Sequence, residues 1–174
     1  MAKILNDNFK IKNSQYITAH AYTSTQHLND GDDKKDMRRG RAAALNIVPT
    51  SSGAETATVE AIPELKGKIT GYALRVPVID GSITNLYAEV DKKTSVEEIN
   101  AVFKKAAQGK FKSILEYNSA PIVSTDIIHN PASCIFDANL TKVNGDFVGI
   151  AGWYDNEWGY SNRLVDVTRL ILKN

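Results

Sequence analysis

The stretch Tyr16–Gln26, YITAHAYTSTQ, sets one histidine among β-formers and small hydroxyl residues. Taken back to Gln15, the run alternates: Tyr16, Thr18, His20 and Tyr22 fall on one face of an extended segment, and Ile17, Ala19 and Ala21 on the other. A strand is expected here, with His20 committed to one sheet face. Upstream, AKILNDNF places Ile4, Leu5 and Phe9 at near-helical spacing with no capping residue before it, so it reads as the second half of a helix. Downstream, Thr23–Arg41 (TSTQHLNDGDDKKDMRRGR) is polar and dense in charge and turn residues. A loop of that length inside a compact domain is usually functional or disordered.

Further along, a short apolar run leads to a turn at Pro49–Gly53 and a helix expected from Ala54 to Leu65, ended by the glycine of KGK. In KITGYALRVPVIDGSITNLYAEV, two β-rich runs flank Asp80-Gly81, which predicts an antiparallel pair. Pro77 pushes part of the first run to a sheet edge or bulge. Thr94 or Ser95 caps a helix over VEEINAVFKKAAQG, with Val96, Ile99, Val102, Phe103 and Ala106 on one face and Gly109 after its end. SILEYN, SCIFDANLTKV and DFVGIAGWYD read as short strands. WGYSNRLVDVTRLILKN reads as a final helix with Leu164, Val167, Leu170 and Ile171 on one stripe. Hairpin-like strands with occasional helices predict an α+β fold: a mixed, largely antiparallel sheet covered by helices, in one domain spanning 1–174.

Composition narrows the classes. The chain has 174 residues, 43% of them apolar, enough for one full core. Its formal net charge of +1 gives no global field to draw nucleic acid or an acidic membrane, so any anion must be met by a local cluster. One cysteine, Cys134, cannot form an internal disulfide, and no apolar run has the length of a signal peptide or a membrane span. A reducing, cytoplasmic setting is expected.

Several residues could carry chemistry. Taken alone, His20 is more simply a hydrogen-bonded sheet residue than a catalyst. PTSSG offers two hydroxyls and a glycine just before a helix, where free amides and the helix dipole suit phosphate, although a capped turn is the plainer account. Arg75, within the apolar YALRVPV, must be paired or face an anion. The arginines of RRGR could equally be a solvated loop face. Cys134 has no adjacent base or helix start to lower its pKa and reads as buried and inert. GWYDNEWGYSNR packs aromatics and an Asp-Asn pair just before a helix, which could shape a ring-binding wall or an interface. No metal-ligand pattern stands out.

Four ordered motifs, HAYTSTQ, RRGRAAALNIVPTSSGA, LRVPV and WYDNEWGYSNR, are similar in sequence and spacing to phosphorylating glyceraldehyde-3-phosphate dehydrogenase, over nearly the whole chain. The family pairs an N-terminal Rossmann domain that binds NAD with a catalytic domain built on a mixed sheet, and this chain resembles the second part alone. The resemblance puts the family's nucleophilic cysteine, in an SCTTNC-type motif, before Met1. It therefore implies a catalytic domain truncated at its N-terminus and inactive alone. In the family, a thiolate attacks the aldehyde, hydride passes to NAD, and phosphate releases the acyl group from the thioester to give 1,3-bisphosphoglycerate. The position of His20 is that of the general base.

By the same matching, Thr23 and Arg75 correspond to ligands of the substrate C3 phosphate. Ser52, Gly53 and one of Arg39 or Arg41 correspond to the site for inorganic phosphate. Asn156 matches the residue that meets the nicotinamide carboxamide, with Tyr160 near the ring. NAD would bind the intact enzyme and not this chain alone. Implied partners are glyceraldehyde 3-phosphate, phosphate, the Rossmann domain, and further copies of the chain through the sheet face and the polar loop; nucleic acid and membrane are not implied. Departures include Glu55 and Thr56 in GAETA where GAAKA is usual, and Ser52 for a threonine. Cys134 does not match the nucleophile. Two alternatives stay open: a stand-alone oligomerisation or binding module, and a fragment of the related erythrose-4-phosphate dehydrogenase.

Overall fold

The computed structural model describes residues 1–173. Seven strands form one sheet in the order β2-β3-β1-β4-β7-β6-β5. In sequence these are β1 (Ile11–Ala21), β2 (Val48–Thr50), β3 (Ile69–Val76), β4 (Ser82–Val90), β5 (Leu115–Asn118), β6 (Cys134–Asn144) and β7 (Phe147–Tyr154). The helices are α1 (Ala2–Phe9), α2 (Ala54–Ala61), α3 (Val96–Gln108) and α4 (Trp158–Ile171). β1 runs parallel to β3 and β5 parallel to β6, and the other pairs are antiparallel. The sheet is mixed and largely antiparallel, as expected.

The expected pairing across Asp80-Gly81 does not form. β1 lies between β3 and β4, parallel to the first and antiparallel to the second. Tyr16 faces Gly71 on one side and Leu86 on the other. β3 stops at Val76, immediately before Pro77, whose missing N–H could not continue the ladder. The chain then turns through Gly81 at φ 83°, where a Cβ would run into the carbonyl oxygen of Ser124. That positive φ and close approach call for glycine. β3 is also no edge strand, since β2 covers its outer side.

The core lies on one sheet face, beneath α1 and α3. Leu5 of α1, Ile99 and Phe103 of α3, Leu86 and Val90 of β4, Phe136 of β6 and Val148 of β7 join one buried cluster. The Phe103 and Phe136 rings stack 4.0 Å apart at 11°. Each fully buried ring is worth about 3 kcal/mol of transfer free energy. The opposite face leaves Tyr72, Tyr87 and Phe147 exposed, with the Tyr87 and Phe147 rings stacked 6.2 Å apart. Among the described residues, no helix is long and apolar enough to cross a membrane.

The helix starts follow local chemistry. Ser95, not Thr94, caps α3: its Oγ accepts from the Glu98 N–H, and the Glu98 carboxylate accepts from the Ser95 N–H. Such a reciprocal box satisfies two otherwise unpaired donors. Ser95→Ala is expected to cost about 1 kcal/mol in urea unfolding. An unchanged midpoint would mean that water replaces the cap. α2 ends at Ala61, earlier than expected, because Ile62-Pro63 breaks it and Pro63–Leu65 closes as a 3-10 turn. α4 forms as expected, and Leu164, Val167, Leu170 and Ile171 are exposed along it.

Candidate active site

A cavity of about 530 Å³ opens between β1, β3, β4, β7 and the start of α2. Strand alternation delivers Tyr16, Thr18 and His20 from β1, and Ala73 and Arg75 from β3, to the same side. His20 and Arg75 are register partners on parallel neighbours, so their side chains meet. Arg75 Nη1 lies 2.8 Å from His20 Nδ1 and donates at 3.0 Å to the carbonyl of Ala21, and Nδ1 is itself 2.6 Å from that carbonyl. Tyr154 stands edge-on to the imidazole, centroids 6.0 Å apart. Thr18 and Thr84 share a hydroxyl hydrogen bond of 2.8 Å on the cavity wall.

Electrostatics set the protonation of this pair. Burial holds the His20 pKa below its ordinary 6.5; the Arg75 charge acts the same way, and the hydrogen bond to Ala21 opposes both. Burial also lowers Arg75, with the Arg39 charge in the same direction and Tyr154 opposing. His20 is thus neutral at pH 7. A group whose folded pKa is depressed adds stability above its unfolded value, and that stability is lost as pH falls through the folded value. Thermal stability is therefore expected to fall as the pH drops below 6.5. His20→Gln should flatten that part of the profile; an unaltered slope would overturn the assignment to His20.

The turn ahead of α2 borders the same cavity. Ser51, Ser52 and Gly53 line it just ahead of α2, whose first amide, that of Ala54, donates to Ser52 Oγ at 3.2 Å. Arg75 Nε is buried, and among the described residues no acceptor reaches it. A half-buried guanidinium with a buried, unpaired Nε–H beside a hydroxyl-rich turn suits a phosphate dianion. Of the two loop arginines, Arg41 is bound to Asp30 at 3.1 Å. Arg39 is the one whose charge acts on Arg75, and its nearest carboxylate, Asp33, is 3.8 Å away.

The remaining expected site residues lie elsewhere. Thr23 lines a second, smaller cavity with Gln26, His27 and Glu157, and its hydroxyl is bonded to Gln26. Asn156 Oδ1 accepts from Ser82 Oγ at 2.8 Å, and that hydroxyl accepts from the Ala21 N–H at 3.1 Å. The loop carrying Asn156 is thereby tied to the strand end next to His20. Tyr160 projects from the first turns of α4 and is 64% exposed. Cys134 is on the cavity wall, and burial pushes its thiol above the ordinary range. Tyr16, Tyr154, Thr84 and Ser82 were not singled out in the sequence; for Tyr16, the alternation that aligned it with His20 was the available signal.

Residues 1–156 match the family model for the glyceraldehyde 3-phosphate dehydrogenase C-terminal domain. The chain belongs to that family. It is 56% identical over its full length to glyceraldehyde-3-phosphate dehydrogenase of Mycobacterium tuberculosis, and equally so to that of Mycobacterium leprae, covering 51% of each. Over 171 residues, 98% of the chain, it is 53% identical to glyceraldehyde-3-phosphate dehydrogenase 1 of Streptomyces avermitilis, again covering 51%. The chain thus spans about half the length of the curated relatives it matches. The matched half is the one in which this sheet, its His20–Arg75 pair and the turn before α2 lie.

Proposed function

We propose that the chain is the catalytic portion of an NAD-dependent dehydrogenase that oxidises glyceraldehyde 3-phosphate with inorganic phosphate to 1,3-bisphosphoglycerate, and that it does not turn over by itself. The observation that carries this reading is the meeting of neutral His20 with half-buried Arg75 in one cavity with the Ser52-Gly53 turn. In the tautomer whose Nδ1–H donates to the Ala21 carbonyl, Arg75 bonds to that carbonyl and not to Nδ1, and His20 Nε2 holds the free lone pair that takes a proton from a thiol or hemithioacetal hydroxyl. Arg75 is the proposed ligand of the substrate C3 phosphate, its unpaired Nε a donor for an anion oxygen; Thr23, which lines the other cavity, would have to move to join it. Ser52, Gly53 and Arg39 are proposed to hold the attacking phosphate, while Arg41 is engaged by Asp30.

Nicotinamide, when bound, accepts the hydride. Asn156 fits it: with Oδ1 taken by Ser82, the amide nitrogen is the end that would donate to a carboxamide oxygen. Exposed Tyr160 would flank the ring. The thiol chemistry supports inactivity alone. Cys134 is the only cysteine in the sequence, and burial keeps it protonated, so these residues supply no thiolate nucleophile. A cytoplasmic setting suits that free thiol.

A second reading rests on the exposed sheet face. The stacked Tyr87 and Phe147, with Tyr72, form an aromatic surface suited to another copy of the chain, so an assembly role accompanies or replaces catalysis. Light scattering distinguishes them: a monomer at micromolar concentration would remove the assembly reading.

For the catalytic reading, the purified chain is mixed with NAD, aldehyde substrate and phosphate. No reduction is expected, while phosphate alone should shift the NMR signals of Gly53 and His20. Turnover that survives Cys134→Ser, or a silent Gly53 at millimolar phosphate, would overturn it.

A further inference from the structure

Tyr16 is 4% exposed and sits on β1 four residues before His20, on the same face, which spaces the two by roughly 13 Å along the strand. Its ring lies over its register partner Gly71, where a Cβ would collide with the Tyr16 carbonyl and ring. From there the phenol reaches across β3 to the start of α2, where its oxygen accepts the backbone N–H of Glu55 at 3.1 Å. The N-cap residue of α2 is Gly53, which has no side chain to cap the helix. The first two α2 amides are therefore held by Ser52 Oγ and by a phenol from another strand.

We propose that Tyr16 is a positioning residue for the anion-binding turn: through Glu55 it fixes Ser52-Gly53 relative to His20, so that one strand sets both the base and the phosphate site. The proposal rests on the catalytic reading above for what the turn binds. The ring supplies packing and the hydroxyl supplies position, and the two are separable. Tyr16→Phe keeps the ring over Gly71, and because Glu55 is exposed its freed amide can turn to water. The hydroxyl's contribution thus becomes measurable without a cavity.

The test uses the whole chain and inorganic phosphate. In Tyr16→Phe, the amide signals of Ser52, Gly53 and Glu55 should move without ligand, Glu55 should exchange faster with solvent, and phosphate affinity read at Gly53 should fall about five-fold. Gly71→Ala, which displaces the ring, should reproduce these changes along with a loss of stability. Unmoved Ser52 and Gly53 signals, or unchanged phosphate affinity with wild-type binding intact, would overturn the positioning role. If the wild type shows no phosphate response while those amides still shift in Tyr16→Phe, the positioning role stands and the phosphate reading falls.

Discussion

Asp155→Ala is expected to lower the unfolding free energy by about 4 kcal/mol, a large part of the 5–15 kcal/mol typical of a domain. The Asp155 residue is 1% exposed, and its carboxylate accepts backbone N–H bonds from His129 at 2.7 Å, Glu157 at 2.9 Å and Trp158 at 2.6 Å. Bonds to a charged acceptor are stronger than neutral ones, and removing it leaves several donors unpaired at once. Those donors sit in the positive-φ turn at His129 and at the start of α4, so Asp155 joins two segments distant in sequence. Burial raises its pKa, but the Trp158, His129 and Glu157 amides, together with a hydrogen bond from Asp80, bring it below the usual carboxylate value. Its stabilising contribution is thus present above pH 3.8 and lost as pH falls through the depressed value. Asp80 is shifted the other way, raised by burial and by the Asp155 charge, so its contribution fades as pH rises through its own value. Urea unfolding at pH 7 measures the substitution. A cost under about 1 kcal/mol would mean that water reaches the three amides. Asn156 follows Asp155 directly, so the same variant should also loosen the Ser82 bond.

If Arg75 meets phosphate as proposed, Arg75→Gln is expected to weaken phosphate binding about 30-fold through the loss of charge-assisted bonds from a half-buried guanidinium. It should also raise the His20 pKa toward 6.5, and only part of the way, because burial is the larger cause of the depression and remains. The two effects are measured together in one NMR pH and phosphate titration. Phosphate affinity that is unchanged while His20 shifts would place the anion away from Arg75. An unshifted His20 would mean that the guanidinium charge is screened at the imidazole.

Which parts of the molecule could be read in advance depended on how local their causes are. α3 was legible nearly to the residue because its cap, its apolar stripe and its terminal glycine all lie within fifteen residues. The strand carrying His20 was legible from alternation, although β1 begins earlier, at Ile11. The Asp80-Gly81 hairpin was misread because a turn signature reports a reversal of the chain and not which strand lies alongside. β1, some 50 residues earlier, occupies the place between β3 and β4. The His20–Arg75 contact spans 55 positions, and no spacing rule connects them. They were brought together in advance only through resemblance to a family. The same resemblance grouped Thr23 with Arg75, whereas they line different cavities here. For Tyr16, alternation gave only the shared face with His20, since its phenol oxygen finds its partner 39 residues away, on α2.

The place of β1 between β3 and β4 has a consequence for synthesis. β1 can pair with β3 only once the chain is made through Val76, roughly 55 residues later, and with β4 only roughly 70 residues later, a wait of about 3–14 s at ribosomal speeds of 5–20 residues per second. During that interval an eleven-residue segment rich in β-formers emerges with its hydrogen-bonding groups open, which exposes it to pairing with other nascent chains. High-copy expression should therefore yield aggregates through this segment, and slower translation upstream of Ile69 should increase them.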